Sequence, residues 1–284
     1  MQIGRQAAPD DRFHGTHQSP HDMSPQYILH ARTYGVAVSA GLNGSATLQD
    51  ATGKGRSFYR PINEWILPEK NLLTGLIFQP PGGALPDGTQ AGGPDAYVHI
   101  ELVLAGPDGM PDTSVPALGE FHWTGGELIA PLPIPILTPC STTDGMVGTR
   151  LWQEAEVVTK LEDADKESIV GLVNDLVEAL ASQDDSRLVQ LLDYRSDEDA
   201  IARKHDPAAI KASLVKLSRN FSQPKPPPPL AWQSALFTPA ANGMAWRVQR
   251  GWMKPAILFK DDEMAFLIEV FASRIDGQWV ISRG

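Results

Sequence analysis

From Tyr97 to Leu102 polar and apolar positions alternate without a break. Tyr97, His99, Glu101 and Val103 fall on one side, and Val98, Ile100, Leu102 and Leu104 on the other. A period of two is that of a strand with one buried face. Shorter runs rich in Val, Ile, Tyr and Thr, set off by clusters of Gly, Pro, Asn and Asp, predict further strands. They cover Tyr27–Ala40, Ala46–Leu48, Arg56–Tyr59, Leu72–Gln79, Ala96–Ala105, Gly119–Trp123 and Val147–Val158. Gly41-Leu42-Asn43-Gly44 reads as a hairpin turn, because Asn and Gly tolerate positive φ. So many short strands imply an antiparallel sandwich or jelly roll over residues 26–160. Two stretches interrupt it. Pro80–Pro94 reads as a long exposed loop. Leu128–Pro139 (LIAPLPIPILTP) cannot supply a full ladder of donors. It reads as extended or polyproline II chain on the sandwich surface or in a domain interface, not as a central strand.

The period changes in the second half. Ile169, Val170, Leu172, Val173, Leu176, Val177 and Leu180 recur at spacings of three and four, which predicts an amphipathic helix. Glu162-Asp163-Ala164-Asp165 suits its N-terminus through the helix dipole. A short helix is expected over Ser186–Leu192 with Asp185 as N-cap. A third follows Asp206, with Pro207 in its first turn and Ile210, Leu214, Leu217 and Phe221 on one face. Arg195–Asp206 is a long polar segment without an apolar stripe. Pro224-Lys225-Pro226-Pro227-Pro228-Pro229 cannot be helical. It reads either as a ligand for a Pro-recognising domain or as a stiff connector, and the connector is favoured. Strands are then expected over Leu230–Thr238, Gly243–Arg250, Pro255–Lys260, Glu263–Ile275 and Gln278–Arg283, with turns at Asn242-Gly243, Asp261-Asp262 and Asp276-Gly277. Helices followed by a meander give an α+β class. The two domains, 26–160 and 161–284, join near Val158–Asp165.

The chain ends in Phe266-Leu267-Ile268-Glu269-Val270-Phe271, then Ile275-Asp276-Gly277-Gln278-Trp279-Val280-Ile281. A long strand, a D-G turn and a W-x-I/V strand resemble the close of an NTF2-like (cystatin-like) domain. The resemblance covers about residues 166–284. It implies a curved sheet packed on helices with a pocket between them. That superfamily hosts enzymes, ligand binders and associative modules alike, so the resemblance carries no one activity. In the first half, Ile62-Asn63-Glu64-Trp65-Ile66-Leu67-Pro68-Glu69-Lys70-Asn71-Leu72-Leu73 resembles a segment of carbohydrate-binding-type jelly rolls, with Glu69 where a Gly is usual.

Charge narrows the partners. The net charge is −10, with −6 before and −4 after the cut at Arg150. No cluster of Lys and Arg exists to release counterions from nucleic acid, and anionic membranes are disfavoured likewise. No apolar run is long enough to span a bilayer. Residues 1–25 lack the apolar core of a secretory signal and read as a mobile polar tail. His14, His17 and His21 lie within it, but Gly15 and Pro20 oppose the helix that would bring them together. Cys140 is the only cysteine, which excludes an intrachain disulfide and fits a reducing, cytoplasmic setting.

Few residues suggest chemistry. There is no Gly-x-Ser-x-Gly elbow. Ser141-Thr142-Thr143-Asp144 has no base nearby in sequence. Gly53-Lys54-Gly55 does not precede a helix, so it reads as a hairpin tip and not a phosphate loop. Asp87-Gly88 and Asp108-Gly109 are single acidic turns, too few for calcium. His99 and Glu101 share a strand face, and His122 adjoins Trp123; both read as structural or solvated. No cofactor and no metal site are expected. Tyr194, Asp193 and Glu269 are conceivable acid/base groups in a C-terminal pocket. The candidate binding residues are Trp246, Arg247, Arg250 and Trp252, because Trp and Arg together offer apolar area and a fork of donors. They would form a hot spot or line a pocket for an acidic or aromatic ligand. Trp246, Val248 and Arg250 share one strand face, and Arg247 and Gln249 the other.

These features favour a soluble, non-enzymatic protein-binding protein, one version being a bacterial toxin-neutralising (immunity-type) protein whose acidity steers it to a basic partner. The alternatives are a small-molecule binder or enzyme using the C-terminal pocket, and a structural subunit packed through the 131–139 segment.

Overall fold

The computed structural model describes residues 26–85, 88, 91–112, 114–125, 132–142, 149–203, 205–219, 225–260 and 265–284. The polar tail with its three histidines, the 128–131 stretch, Thr143, Asp144, Phe221 and the Asp261-Asp262 turn lie outside the described residues. The class is α+β, with helices and antiparallel sheets in one chain.

In the first lobe, eight strands form two four-stranded sheets. They are β1 (Tyr27–Tyr34), β2 (Ala37–Leu42), β3 (Leu48–Asp50), β4 (Arg56–Pro61), β5 (Asn71–Phe78), β6 (Tyr97–Leu104), β7 (Gly119–Thr124) and β8 (Ile134–Cys140). One sheet has the order β4-β1-β6-β7, the other β3-β2-β5-β8, and every ladder is antiparallel. The stretch read as a single strand, Tyr27–Ala40, is two. It bends at Gly35, whose φ is +78° and where a Cβ would lie 2.6 Å from that of Ala96. The bend carries the chain from one sheet to the other. Gly53-Lys54-Gly55 is likewise no hairpin tip, because β3 and β4 belong to different sheets. The inner faces supply one core: Leu29 and Ala31, Val38 and Leu42, Leu73 and Ile77, Val98, Ile100 and Leu102, Ile136. Each fully buried aliphatic side chain contributes roughly 1.5–3 kcal/mol of transfer free energy. In β6 the expected alternation holds from Tyr97 to Leu102; Val103, on the other face, is buried as well, and Leu104 only in part.

The Pro-rich segment does form a strand over residues 134–140, but at the sheet edge. Pro135 and Pro139 are tolerated there because an edge strand has one side on which a missing N–H breaks no ladder bond. Val147–Val158 needs a larger correction. Leu151–Glu154 is a one-turn helix, α1. Consecutive Leu151 and Trp152 are both buried, which a strand's alternation would prevent.

Four helices follow: α2 (Asp163–Ser182), α3 (Asp185–Leu191), α4 (Asp193–Arg203) and α5 (Pro207–Ser218). A capping box closes the start of α2: Glu162 accepts from the N3 backbone amide, and Asp165 accepts from the Glu162 amide at 3.1 Å. Its predicted stripe is buried apart from Leu172, which is partly exposed. The cap of α3 is Asp184 in place of Asp185; its Oδ1 accepts from the Arg187 amide at 2.9 Å. The polar segment read without a helix is α4. Its buried residues are Ser196, Glu198 and Ala200, so no apolar stripe announced it.

The second lobe's sheet contains β9 (Leu236–Ala240), β10 (Ala245–Gly251), β11 (Lys254–Pro255), β14 (Val270–Ile275) and β15 (Gln278–Arg283). Its order is β11-β10-β14-β15, with β9 on β10, and β12 (Ile257–Lys260) and β13 (Ala265–Ile268) form a side hairpin. Trp246, Val248, Val270, Ala272 and Ile281 pack with the α2 stripe in a second core. The opposite face is buried too: Ala245 and Phe271 belong to the first lobe's core, where the Phe271 ring lies 4.7 Å from that of Trp65. The Pro run is a connector. Leu230 donates to and accepts from the Asn174 amide of α2, and Pro228 O accepts from Arg250 Nη2 at 2.6 Å.

Candidate functional site

Two Asn-Gly turns build the floor of a cleft between the lobes. Asn43 and Gly44 have φ of +53° and +84°; Asn242 and Gly243 have +58° and +88°. The turns meet through a hydrogen bond from Ala241 N to Asn43 O at 2.7 Å. A Cβ at Gly44 would lie 3.0 Å from Ala240 Cα, so glycine there lets the lobes approach. Asn43 also ties the first lobe internally. Its Nδ2 donates to Trp65 O and to Asn71 Oδ1, and its Oδ1 accepts from Leu72 N.

Above this floor opens a cavity of about 560 Å³. The outward face of β2 and β5 forms one wall with Ser39, Leu72, Thr74 and Leu76; β9, β10 and Val158 form the other. Arg247 stands on β10 with its side chain turned from the helices to the first lobe, and it is 5% exposed. Burying a guanidinium is costly unless it is paired. Its Nε donates to Glu269 Oε2 at 2.9 Å, and Gln49 Nε2 donates to the other oxygen of Glu269 at 2.9 Å. Arg247 Nη2 is buried and has no acceptor. Among the described residues lining this cavity, Arg247 is the only ionisable one. Trp252 sits at the mouth, 56% exposed, its ring edge-on to Phe78 at 5.6 Å.

The wall does not end at the mouth. The register sets Pro139 beside Leu72, Leu137 beside Thr74 and Pro135 beside Leu76. The outward face of β5 and β8 therefore continues the cleft as an apolar surface, with Leu137 69% exposed.

Beyond Glu269, which lines it, lies a second cavity of about 410 Å³, lined also by Arg56, Arg60, Arg203 and Arg283 and by Asp50, Glu64 and Asp199. Arg283 is fully buried. It donates to Glu198 Oε2 at 3.0 Å, to Thr149 Oγ1 and to Glu64 O, and its guanidinium lies 5.2 Å from the Trp152 ring centre. Glu198 in turn accepts from the Leu151 amide. This network binds α4 to β15 and to the first lobe.

The four predicted binding residues therefore separate. Trp246 is core, its Nε1 donating to Val158 O at 3.2 Å. Arg250 holds Ala256 O and the Pro connector, and burial lowers its pKa. Only Arg247 and Trp252 reach the cleft. The strand period placed Arg247 opposite Trp246 and Arg250, so one patch could not contain all four. Sequence reasoning missed Gln49, Asn43 and Leu137. Leu137 had a signal: an apolar residue between two prolines on an edge.

Of the acid/base candidates, Glu269 is paired with Arg247 beside the cleft, and the other two are engaged elsewhere. Asp193 pairs with Lys211 at 2.7 Å. Burial and the nearby Glu198 push Tyr194 well above the usual phenol range, and its hydroxyl donates to Glu154. Burial pushes the Cys140 thiol up to about 11, away from thiolate chemistry at neutral pH. His99 accepts from Arg32 and His30 pairs with Glu101 on the other sheet. Among the described residues no three His, Cys, Asp or Glu side chains converge to hold a metal, and no helix is long and apolar enough to cross a membrane.

Scans of the chain against protein-family models, against curated proteins and against solved structures find no match.

Proposed function

We propose that this protein is a non-enzymatic binding protein that receives a protein partner on the outward face of β5 and β8 and at the adjoining cleft mouth. The observation that carries the reading is the uncharged apolar surface formed by Leu72, Leu76, Phe78, Pro135, Leu137, Pro139 and Trp252. An exposed apolar face of this kind beside a concave site marks an interaction surface. Trp252 has the makings of its anchor. The net charge of −10 would draw in a basic partner over a distance, while contact is made by uncharged groups. A toxin-neutralising role in the cytoplasm is one version of this reading.

We read the first lobe as a jelly roll. Its orders, β3-β2-β5-β8 and β4-β1-β6-β7, match the jelly-roll orders 1-8-3-6 and 2-7-4-5 with the chain opened between the sixth and seventh strands. We read the second lobe as NTF2-like on its helices, its meander and the Asp276-Gly277 turn before Trp279. One feature departs from that family's plan: Trp246, Val248, Phe259 and Ile281 fill the space between sheet and α2. Both cavities described above lie on the sheet's other face.

A second reading has one observation in its favour. About 560 Å³ is the size of a small-molecule site. The deciding experiment is recovery of partners from the source organism's lysate with the wild type and with Leu137→Glu. A stoichiometric protein recovered by the wild type and lost by the variant is expected. Equal recovery by both would overturn this face as the site, and recovery of none by the wild type would favour the small-molecule reading.

A further inference from the structure

The proline run that leads from the helices to β9 is fixed to the fold along only one of its edges. We propose that residues 225–229 are also a docking site for a protein domain with an aromatic-lined, acid-flanked groove that receives polyproline II chain. The site is separate from the face of β5 and β8 and does not rest on the reading given to that face.

Three observations carry it. The first is the period of burial. Residues 226–229 are all proline, so each φ is held at about −65°, and each of residues 225–228 precedes a proline, which drives its ψ into the extended region. Together these settings give a polyproline II helix, with three residues per turn and about 3.1 Å of rise per residue. Leu230 is buried in the core between α2 and the sheet, and Pro227, three residues earlier, is half-buried. Lys225, Pro226, Pro228 and Pro229 are exposed. One edge of the helix therefore serves the fold, and the other two, Lys225 with Pro228 and Pro226 with Pro229, face solvent. Pro226 and Pro229 have the proline-x-x-proline spacing that aromatic grooves receive, about 9 Å along the helix.

The second is that the run is held in place. Pro228 O accepts from Arg250 Nη2 at 2.6 Å. Leu230 N donates to Asn174 Oδ1 at 2.8 Å, and Leu230 O accepts from Asn174 Nδ2 at 3.0 Å. The outward edges are thus presented in one conformation before a partner arrives, and little ordering entropy is lost on binding. The third is charge. Lys225 is exposed at the head of the run and forms no ion pair among the described residues. The rest of the outward surface is uncharged proline ring. Its complement is a groove of aromatic rings with a carboxylate at the end that meets Lys225.

The test uses the full chain and two purified, isotope-labelled probes, an SH3 domain and a WW domain, each with a carboxylate beside its aromatic groove. Probe amide resonances are followed as the chain is added. Saturable shifts of groove residues, with a Kd below about 1 mM, are expected for at least one probe. Pro226→Ala and Pro229→Ala, made separately, should each weaken that probe at least about fivefold. Pro227→Ala, on the inward edge, should change its affinity by less than about twofold. Lys225→Glu should weaken it at least about fivefold, with the larger loss at low salt. Circular dichroism checks that each variant is folded. No saturable shift with either probe overturns the proposal, and so does a loss in Pro227→Ala as large as that in Pro229→Ala. Unchanged affinity in Lys225→Glu overturns the acid-flanked groove. Leu137→Glu should bind the probe as the wild type does, and loss of binding there would overturn the placement of the site on the proline run. If the partner from lysate is lost with Leu137→Glu while neither probe binds the wild type, the reading of the β5 and β8 face stands and this proposal falls alone.

Discussion

The two sheets of the first lobe share a core and turn opposite surfaces outward. On β1, β6 and β7 the middle of the outward face is polar and bonded across the strands, beside a buried apolar pair, Ile28 and Val103. His30 meets Glu101 at 2.7 Å, and His99 Nε2 meets Glu120 at 2.9 Å. Arg32 has no acceptor, so its contact at 3.0 Å makes His99 Nδ1 the acceptor and puts the proton on Nε2, from which it is donated to Glu120. On β5 and β8 the outward residues are Leu, Pro, Thr and Phe, with no ionisable group. An outer face that satisfies itself is finished in water; one that offers only apolar area is left to be covered. The same sandwich thus distinguishes a solvated side from a binding side. The second lobe covers the β2 and β3 end of that sheet through polar contacts, Gln49 to Glu269 and Ala241 N to Asn43 O, and leaves the β5 and β8 end open.

Four changes test this comparison, in falling order of effect. Ile100→Ala removes a core side chain on which both faces rest. It should cost about 2–5 kcal/mol in urea unfolding. A smaller loss would mean that the core between the sheets is looser than its burial indicates. Leu137→Glu places a charge on the apolar face. It should reduce partner affinity at least about 30-fold, by analogy with interface anchors worth about 2 kcal/mol or more. Its unfolding free energy should change by no more than about 0.5 kcal/mol, because Leu137 is exposed. Arg32→Ala strikes the polar face instead. A partly exposed contact is worth about 0–1 kcal/mol, and partner binding should not change at all. If Arg32→Ala weakened the partner as much as Leu137→Glu, the assignment of faces would be reversed. The mildest probe is Cys140 at the end of β8. With its thiol raised to about 11, alkylation by iodoacetamide at pH 8 should be slow in the folded protein, accelerate on unfolding in urea, and rise with pH toward 11 in the native state. Rapid native labelling at pH 8 would show that the β8 edge opens.

Much of the fold was legible because its signals are local. The stripe of α2, the alternation of β6 and the Asn-Gly and Asp-Gly turns each depend on a few neighbouring residues. The site was legible only in part. Arg247 and Trp252 stood out by residue type, yet Trp246 and Arg250 stood out equally and serve the core and the Pro connector. Helix α4 escaped notice for a related reason. Its inward residues are Ser196 and Glu198, and Glu198 is tolerated there only because Arg283, 85 residues later, arrives to pair with it. Apolar periodicity cannot register a helix whose buried face is polar and paid for by a distant partner.

By itself the sequence determined the α+β class, the order of most elements, the inward face of the regular strands and the acidic balance. These follow from side-chain period and turn chemistry, which act over a few residues. Tertiary structure alone decided that Gly35 sends one run of sequence into two sheets and that the second lobe's sheet is buried on both faces. It also decided that Arg247 meets Glu269 and Gln49, and that Asn43-Gly44 docks on the Asn242-Gly243 turn. Those outcomes depend on which distant surfaces meet, and the cleft exists only where they do.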